Sequence, residues 1–243
     1  MTKIFKSADE LIELRCGRWQ DVLADVGSVD AVITDPPYSK RTHSGNDRMG
    51  DFDRADIAYA CLAPKDVRVF CDHWGPRASG WIVAMTDDAL SWIWRRCLER
   101  AGRYSFASVS LIQHRPRLGG DGPGSCTVHI QTARPRARSF QSWGSLPGWY
   151  KDNPEKMPGV NGAKPIKTMR ALVRDYSRPG DLICDPCAGS GTTLIAAAIE
   201  GRRAIGAEMD PETYAKAVTR IKRGYTTAIA LPLRAKAKQE ALL

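Results

Sequence analysis

No stretch of this 243-residue chain approaches the ~18 uninterrupted apolar residues that a membrane-spanning helix needs. No apolar signal core follows Met1-Thr2-Lys3-Ile4-Phe5-Lys6, which argues against secretion and for a cytoplasmic location. The seven cysteines (16, 61, 71, 97, 126, 184 and 187) lack the density and regular spacing of a disulfide framework and suit reduced thiols. Cys184 and Cys187 have zinc or redox spacing, but no second ligand pair is suitably placed, so no metal is expected. Internal repeats and low-complexity tracts are also missing. What is present is a hydrophobic content of 43%, enough for one α/β domain with a full core. A formal charge of +9 and a pI near 9.3 point, weakly, to a polyanionic partner.

Apolar periodicity orders the chain into alternating strands and helices. Residues 11–15 alternate like a short strand, with a polar helical stretch to about Ala24. Val29–Thr34 is a β-branched run of the kind buried on both faces of a parallel sheet. It must turn out at Asp35-Pro36-Pro37-Tyr38, because two prolines cannot continue a central strand. Pro64 opens a helix with Val67, Phe70, Cys71 and Trp74 on one face, and Gly75-Pro76 should end it. A strand follows at Trp81–Met85. Asp87 and Asp88 then start a helix that closes at Gly102. Tyr104–Gln113 reads as one strand with Thr127–Ala133 as its hairpin partner. Residues 134–163 are rich in Pro, Gly, Arg and Trp and show no period. Order returns with a helix at 166–176, a strand at Leu182–Cys184, an apolar helix to Ile199, a strand at Ala204–Ala207 and a last helix carrying Tyr214, Ala217, Val218 and Ile221. The expected fold class is therefore α/β, a mostly parallel sheet with helices on both faces.

Two loops carry the chemistry, because ligands of open parallel sheets bind beyond the carboxyl ends of strands. In Asp185-Pro186-Cys187-Ala188-Gly189-Ser190-Gly191-Thr192-Thr193, the glycines permit tight turning and the next helix offers free N–H groups. A phosphate-cleaving loop would need a lysine after Gly191, and Thr192 stands there. Glu208, about twenty residues on at the end of the next strand, can accept hydrogen bonds from ribose hydroxyls. The pair indicates an adenosine-type ligand held without a pyrophosphate. In the other loop, Asp35 is an acceptor-only carboxylate when ionised, the prolines fix the Pro36 carbonyl as a second acceptor, and Tyr38 offers a stacking platform for a base. Such a set suits an exocyclic amine, whose lone pair must be freed from its ring before it can attack. A Pro-rich turn capped by Asp would explain Asp35-Pro36-Pro37-Tyr38 in isolation, and a structural strand-to-helix turn a lone Gly-x-Gly; the combination of the two loops does not reduce to turn chemistry.

With these motifs in this order, residues 10–222 resemble the permuted (beta-type) DNA amino-methyltransferases, in which the catalytic motif precedes the cofactor motif. Asp35-Pro36-Pro37-Tyr38 is similar to the catalytic motif and the segment 185–193 to the donor loop. Glu208, with Met209 beside it, is similar to the ribose-binding strand end, and Lys164-Pro165 to the segment that closes over the methionine part of the donor. Arg202 and the run from Tyr214 to Arg220 and Ile221 also fit. The resemblance implies a Rossmann-like, seven-stranded methyltransferase sheet, S-adenosylmethionine as donor, and double-stranded DNA as substrate with base flipping. It also implies methyl transfer to adenine N6, with cytosine N4 as the rival and a non-catalytic donor-sensing DNA-binding protein as a more distant one. Cys187 stands where phenylalanine is usual, Cys16-Gly17-Arg18 where Gly-Asp is usual, and residues 112–115 depart from the expected Trp-x-Lys pattern. Cys187 is not a base-attacking nucleophile, since it lies inside the donor loop.

The division that follows is a catalytic half at 1–112, a target-recognition insert at 113–160, a cofactor half at 161–223 and a basic tail at 224–243. Between 113 and 140 five arginines (Arg115, Arg117, Arg134, Arg136 and Arg138) face one acid, Asp121, and Trp143, Trp149 and Tyr150 follow. These arginines, with Arg41 and His43 beside the catalytic turn, are the candidate DNA contacts. Dimers are common among enzymes of the kind it resembles, so a homodimer is one expected assembly.

Overall fold

The computed structural model describes residues 2–40, 42, 61–117, 125–137, 143–153 and 163–225. Its centre is β3 (Ala31–Thr34), every residue of which is buried. Parallel neighbours extend from it in both directions. β4 (Ile82–Thr86) pairs Val32 with Ile82, and β9 (Leu182–Asp185) pairs Val32 with Cys184. β10 (Arg203–Glu208) adds to β9, and β2 (Ile12–Cys16) adds to β10, both parallel. Beyond β4 the direction reverses. β7 (Ser125–Arg134) runs antiparallel to β4, and β6 (Val109–Arg117) antiparallel to β7. Three strands go beyond the seven expected: β1 (Ile4–Lys6) on one edge, β8 (Trp149–Lys151) on the other, and the two-residue β5 (Tyr104–Ser105) beside β7, for a ten-stranded sheet.

Alternation along the strands sends side chains to two cores. Ile33, Val83 and Ile183 join one core with Met169, Leu172 and Val173 of α4 (Ile166–Tyr176) and Leu194 to Ala198 of α5 (Thr192–Ile199). Tyr214 and Ala217 of α6 (Pro211–Arg220) belong to the same core. Val32, Ile82, Ala84 and Cys184 face the opposite core. There they meet Leu23, just past α1 (Trp19–Val22), with Phe70 and Trp74 of α2 (Pro64–Arg77) and Trp94 and Leu98 of α3 (Asp88–Arg100). Helices therefore cover both faces.

The helix starts follow their residues. Asp87 accepts from Leu90 N at 3.1 Å to cap α3, and Asp210 accepts from Thr213 N at 2.7 Å to cap α6. One expected stop does not occur: α2 runs through Gly75 and Pro76 to Arg77. Proline this close to a helix end forfeits a single backbone bond, and the last turn closes through Ala78 N on Trp74 O at 2.9 Å. Gly75 serves packing instead, since a Cβ there would stand 2.7 Å from Ala101 Cβ. The single strand expected over 104–113 is broken into β5 and β6. The stretch 113–160 supplies the end of β6, all of β7 and all of β8 to this sheet. No helix among the described residues is long and apolar enough to cross a membrane.

Candidate functional site

Because β3 and β9 are parallel neighbours, the turns that follow them emerge side by side at one end of the sheet. Thr34 Oγ1 donates to Asp185 Oδ1 at 2.7 Å across the gap, joining residues 151 apart in sequence. Asp185 is only 1% exposed, and its Oδ1 also accepts from Cys187 N at 3.1 Å. Burial pushes its pKa up to about 6, against hydrogen bonds from Thr193 and Thr34 that pull it down. Asp185 thus holds the two turns together from inside; it does not present a carboxylate to a ligand. Burial likewise pushes the Cys187 thiol up, with Asp185 and Glu208 adding to the effect, which disfavours the thiolate.

The glycine loop is shaped by three glycines. Gly189 and Gly191 take positive φ, 51° and 76°. Gly206 of β10, from the opposite side, removes the Cβ that would stand 3.0 Å from Asp185 O and 3.1 Å from both Ala188 Cβ and Leu194 Cδ1. Pro186, Ala188 and Ser190 are buried. Ser190 and Thr192 turn their hydroxyls toward each other at 3.0 Å and accept from Arg220 Nη1, which reaches Ser190 Oγ at 3.0 Å. Glu208 Oε2 accepts from Gly189 N at 2.9 Å and Oε1 from Asp210 N at 2.8 Å. Burial raises its pKa despite these two amides. Met209, beside it, is 56% exposed. A carboxylate with lone pairs to spare, a loop stripped of Cβ atoms and an exposed apolar side chain together fit the ribose and adenine of a nucleoside.

At the neighbouring turn, Asp35 Oδ1 accepts from the Tyr38 hydroxyl at 2.9 Å, and Oδ2 pairs with Lys164 Nζ. The Lys164 ammonium also stands 5.2 Å from the Tyr38 ring centroid. Sequence reasoning missed the anchor of this turn, Asp87 at the end of β4. Its Oδ2 accepts from Ser39 N at 3.0 Å and from the hydroxyls of Ser39 and Thr42. Burial pushes the Asp87 carboxyl up, but the Ser39 and Thr42 hydrogen bonds outweigh it and the pKa ends below the ordinary value. An aspartate before a helix signals a cap; nothing signals a partner 48 residues away.

The candidate DNA residues divide. Thr86 of β4 pairs with His129 of β7, and His129 with Ser110 of β6. Residues 111–117 and 125–128 therefore continue past the end of β4, on the side of Asp35, by roughly 20 Å of strand. The backbones of Arg115 and Arg117 lie on that projection. Arg134 is a correction. Antiparallel β7 carries it past the Ala133–Ile82 pair, to the start of β4 and the end of the sheet away from Asp35. There its guanidinium stacks over Tyr104 at 4.9 Å and Phe106 at 5.8 Å, and Arg136 lies 6.0 Å from the Tyr104 centroid. Trp143 packs at the same far end under Arg178, and Tyr150 is buried with its hydroxyl donating to Asp175 Oδ2 at 2.6 Å. Trp149 is exposed. Arg41, His43, Arg138 and the tail beyond Tyr225 lie outside the described residues, as do the side chains of Arg115 and Arg117.

Known proteins share the fold. The profile of the DNA methylase family N6_N4_Mtase matches residues 81–219, from β4 through the glycine loop to α6. The Escherichia coli (strain K12) protein named Putative methylase YubD is 25% identical over 189 residues, 75% of this chain and 77% of that protein. The M1.HpyAVI–SAM complex superposes with a TM-score of 0.62 at 18% identity, over 86% of this chain and 99% of that one. PvuII DNA methyltransferase, described as cytosine-N4-specific, gives 0.61 at 15% identity, over 93% of this chain and 94% of the other.

Proposed function

The chain belongs to the N6/N4 family of DNA methylases, and from that premise we propose that it moves a methyl group from S-adenosylmethionine to adenine N6 of double-stranded DNA. The observation that carries this reading is the adjacency of the two turns, fixed by the Thr34–Asp185 hydrogen bond. Glu208 would hold the ribose of the donor, the 186–191 loop would pass along its methionine part, Met209 would cover its adenine, and Lys164 would meet its carboxylate. When bound, the donor supplies an electrophilic methyl group on sulfur.

The rest falls to the chain's own groups. Asp35 and the Pro36 carbonyl accept hydrogen bonds from the two N–H groups of the target amine, which draws its lone pair out of the ring and toward the methyl group, and the proton the amine loses on gaining that group leaves by way of Asp35. Pro37 stiffens the turn, and the Tyr38 ring stacks on a base extruded from the duplex, a contact of about 1–3 kcal/mol. The projecting strands β6 and β7 are the natural approach to DNA from this edge, with Arg115 and Arg117 toward phosphates or guanine edges. Recognition within 113–160 is part of the same proposal, confined to what rises on the Asp35 side.

The test gives purified protein labelled S-adenosylmethionine and unmethylated DNA, digests the DNA to nucleosides and identifies the labelled one. N6-methyl-2′-deoxyadenosine from the wild type, reduced by at least about a hundredfold in Asp35→Ala, is the expected result. Label on cytosine N4 would replace adenine as the target. Donor binding without any labelled nucleoside would favour a donor-sensing DNA-binding protein.

A further inference from the structure

One side chain engages both Asp35 and Tyr38 on the acceptor side of the site. Lys164 Nζ pairs with Asp35 Oδ2 while Tyr38 occupies Oδ1, so both carboxylate oxygens have partners. The same ammonium stands over the Tyr38 ring, where a base would stack. The Lys164 and Asp35 side chains are 11% and 24% exposed, so the pair is largely withdrawn from water and is not a screened surface contact. Its position is fixed by the backbone: Pro165 caps α4, and Met169 N donates to Pro165 O at 3.1 Å. The four-carbon stem nonetheless leaves the ammonium free to swing, and a point charge with three donors accepts one carboxylate as readily as another.

Resting on the donor reading above, we propose that Lys164 is a positioning residue that couples the two halves of the site. Its ammonium passes from Asp35 to the carboxylate of the donor's methionine part, which frees Asp35 and the Tyr38 ring for the target base. The lysine keeps an ionic partner throughout, and Asp35 keeps the hydrogen bond from the Tyr38 hydroxyl until the amine arrives. Asp35 competes with the donor carboxylate for one cation, and donor entry exposes the acceptor tools in the same movement. Linkage makes the effect reciprocal: whatever removes the charge of Asp35 tightens the donor.

Two ligands separate this from a purely structural role. S-adenosylhomocysteine carries the amino-acid carboxylate, whereas 5′-methylthioadenosine has the same adenosine without it. Dissociation constants of both are measured by calorimetry for the wild type, Asp35→Asn, Lys164→Met, Lys164→Arg and the Asp35→Asn/Lys164→Met double variant. Asp35→Asn should bind S-adenosylhomocysteine on the order of tenfold more tightly and 5′-methylthioadenosine unchanged. Lys164→Met should weaken the first ligand by a similar factor, and on that background Asp35→Asn should have no effect; Lys164→Arg should keep the coupling. The proposal is overturned if Asp35→Asn leaves S-adenosylhomocysteine unchanged, shifts both ligands alike, or still tightens it when Lys164 is Met. Failure of both ligands to bind the wild type would sink the donor reading, and this proposal with it.

Discussion

The acids at one end of the sheet and the arginines at the other serve opposite purposes. At the carboxyl end of the parallel strands stand Asp35, Asp87, Asp185 and Glu208, each accepting hydrogen bonds from the turns around it. At the other end stand arginines. Arg103, 5% exposed, donates to the carbonyls of Gly75 at 3.2 Å, Ala78 at 2.7 Å and Gly80. Arg202 donates to Ser177 O at 2.9 Å and to Glu200 O, closing the ends of α4 and α5. Arg134 and Arg178 lie on aromatic rings. Acids that shape turns leave those turns open to a ligand, whereas arginines spent on carbonyls and ring faces have little left to offer one. The comparison teaches that a count of basic residues says little about nucleic acid until strand direction has assigned each to an end.

The comparison breaks most readily at Arg103. Replacement by Met leaves three carbonyls short of a donor, and stability should fall on the order of 3 kcal/mol in urea unfolding. Turnover per folded molecule should stay at the wild-type level. A variant that keeps its stability but loses activity would put this end of the sheet in the reaction.

Asp185 gives an effect of similar size, read through pH. Its pKa of about 6 lies above the ordinary aspartate value of 3.8, so between these limits the folded chain holds a proton the unfolded chain has lost. Its contribution to stability is therefore fully present below 3.8 and is lost as pH rises through 6, about 3 kcal/mol in all. Asp185→Asn cannot titrate, so the wild type should lose stability relative to the variant across that window. Parallel curves for the two proteins would mean that the carboxylate is not buried as described.

Much of this was legible in the residues. β3 and β9 announce themselves as short apolar runs, and the prolines and glycines after them fix where the chain leaves the sheet. The offset from Gly189 to Glu208 is a local spacing and survives into the structure as a 2.9 Å hydrogen bond. What the residues could not disclose is whatever depends on which strands lie beside one another. Arg220 reaches Ser190 and Thr192 from 30 and 28 residues away. Asp87 meets Ser39 only because β4 lies next to β3. Arg134 reads as a candidate DNA contact because composition does not say at which end of the sheet its strand finishes; the antiparallel pairing of β7 with β4 does. Gly75 shows the converse fault: its propensity said break, and its contact with Ala101 decided otherwise.

Gly206 tests the acid-bearing end at a smaller scale. An added methyl would press on Asp185 O, Ala188 and Leu194, and the loop would yield by a few tenths of an ångström. Stability should fall by about 1–2 kcal/mol. S-adenosylhomocysteine should bind on the order of tenfold more weakly, as for loss of about 1.4 kcal/mol. Unchanged affinity would show that the loop's close approach to β10 serves the core alone.

The smallest expected effect is the sharpest division between the ends. Phosphate contacts appear as the slope of log affinity against log salt, about 0.9 for each phosphate neutralised on duplex DNA. Arg134→Ala and Arg136→Ala should leave that slope unchanged, because their guanidinium groups rest on Tyr104 and Phe106 at the end away from Asp35. Their cost should be a stability loss of about 0.5–1 kcal/mol from the lost cation–π contacts. Arg115→Ala and Arg117→Ala, on the strand that projects past β4, should each reduce the slope by about 0.9 if each holds one phosphate. The reverse pattern, with the slope falling for Arg134 and Arg136 but not for Arg115 and Arg117, would mean that DNA meets the sheet at the amino end of β4. A base delivered there would be a full strand length, about 16 Å, from the carboxylate meant to receive it.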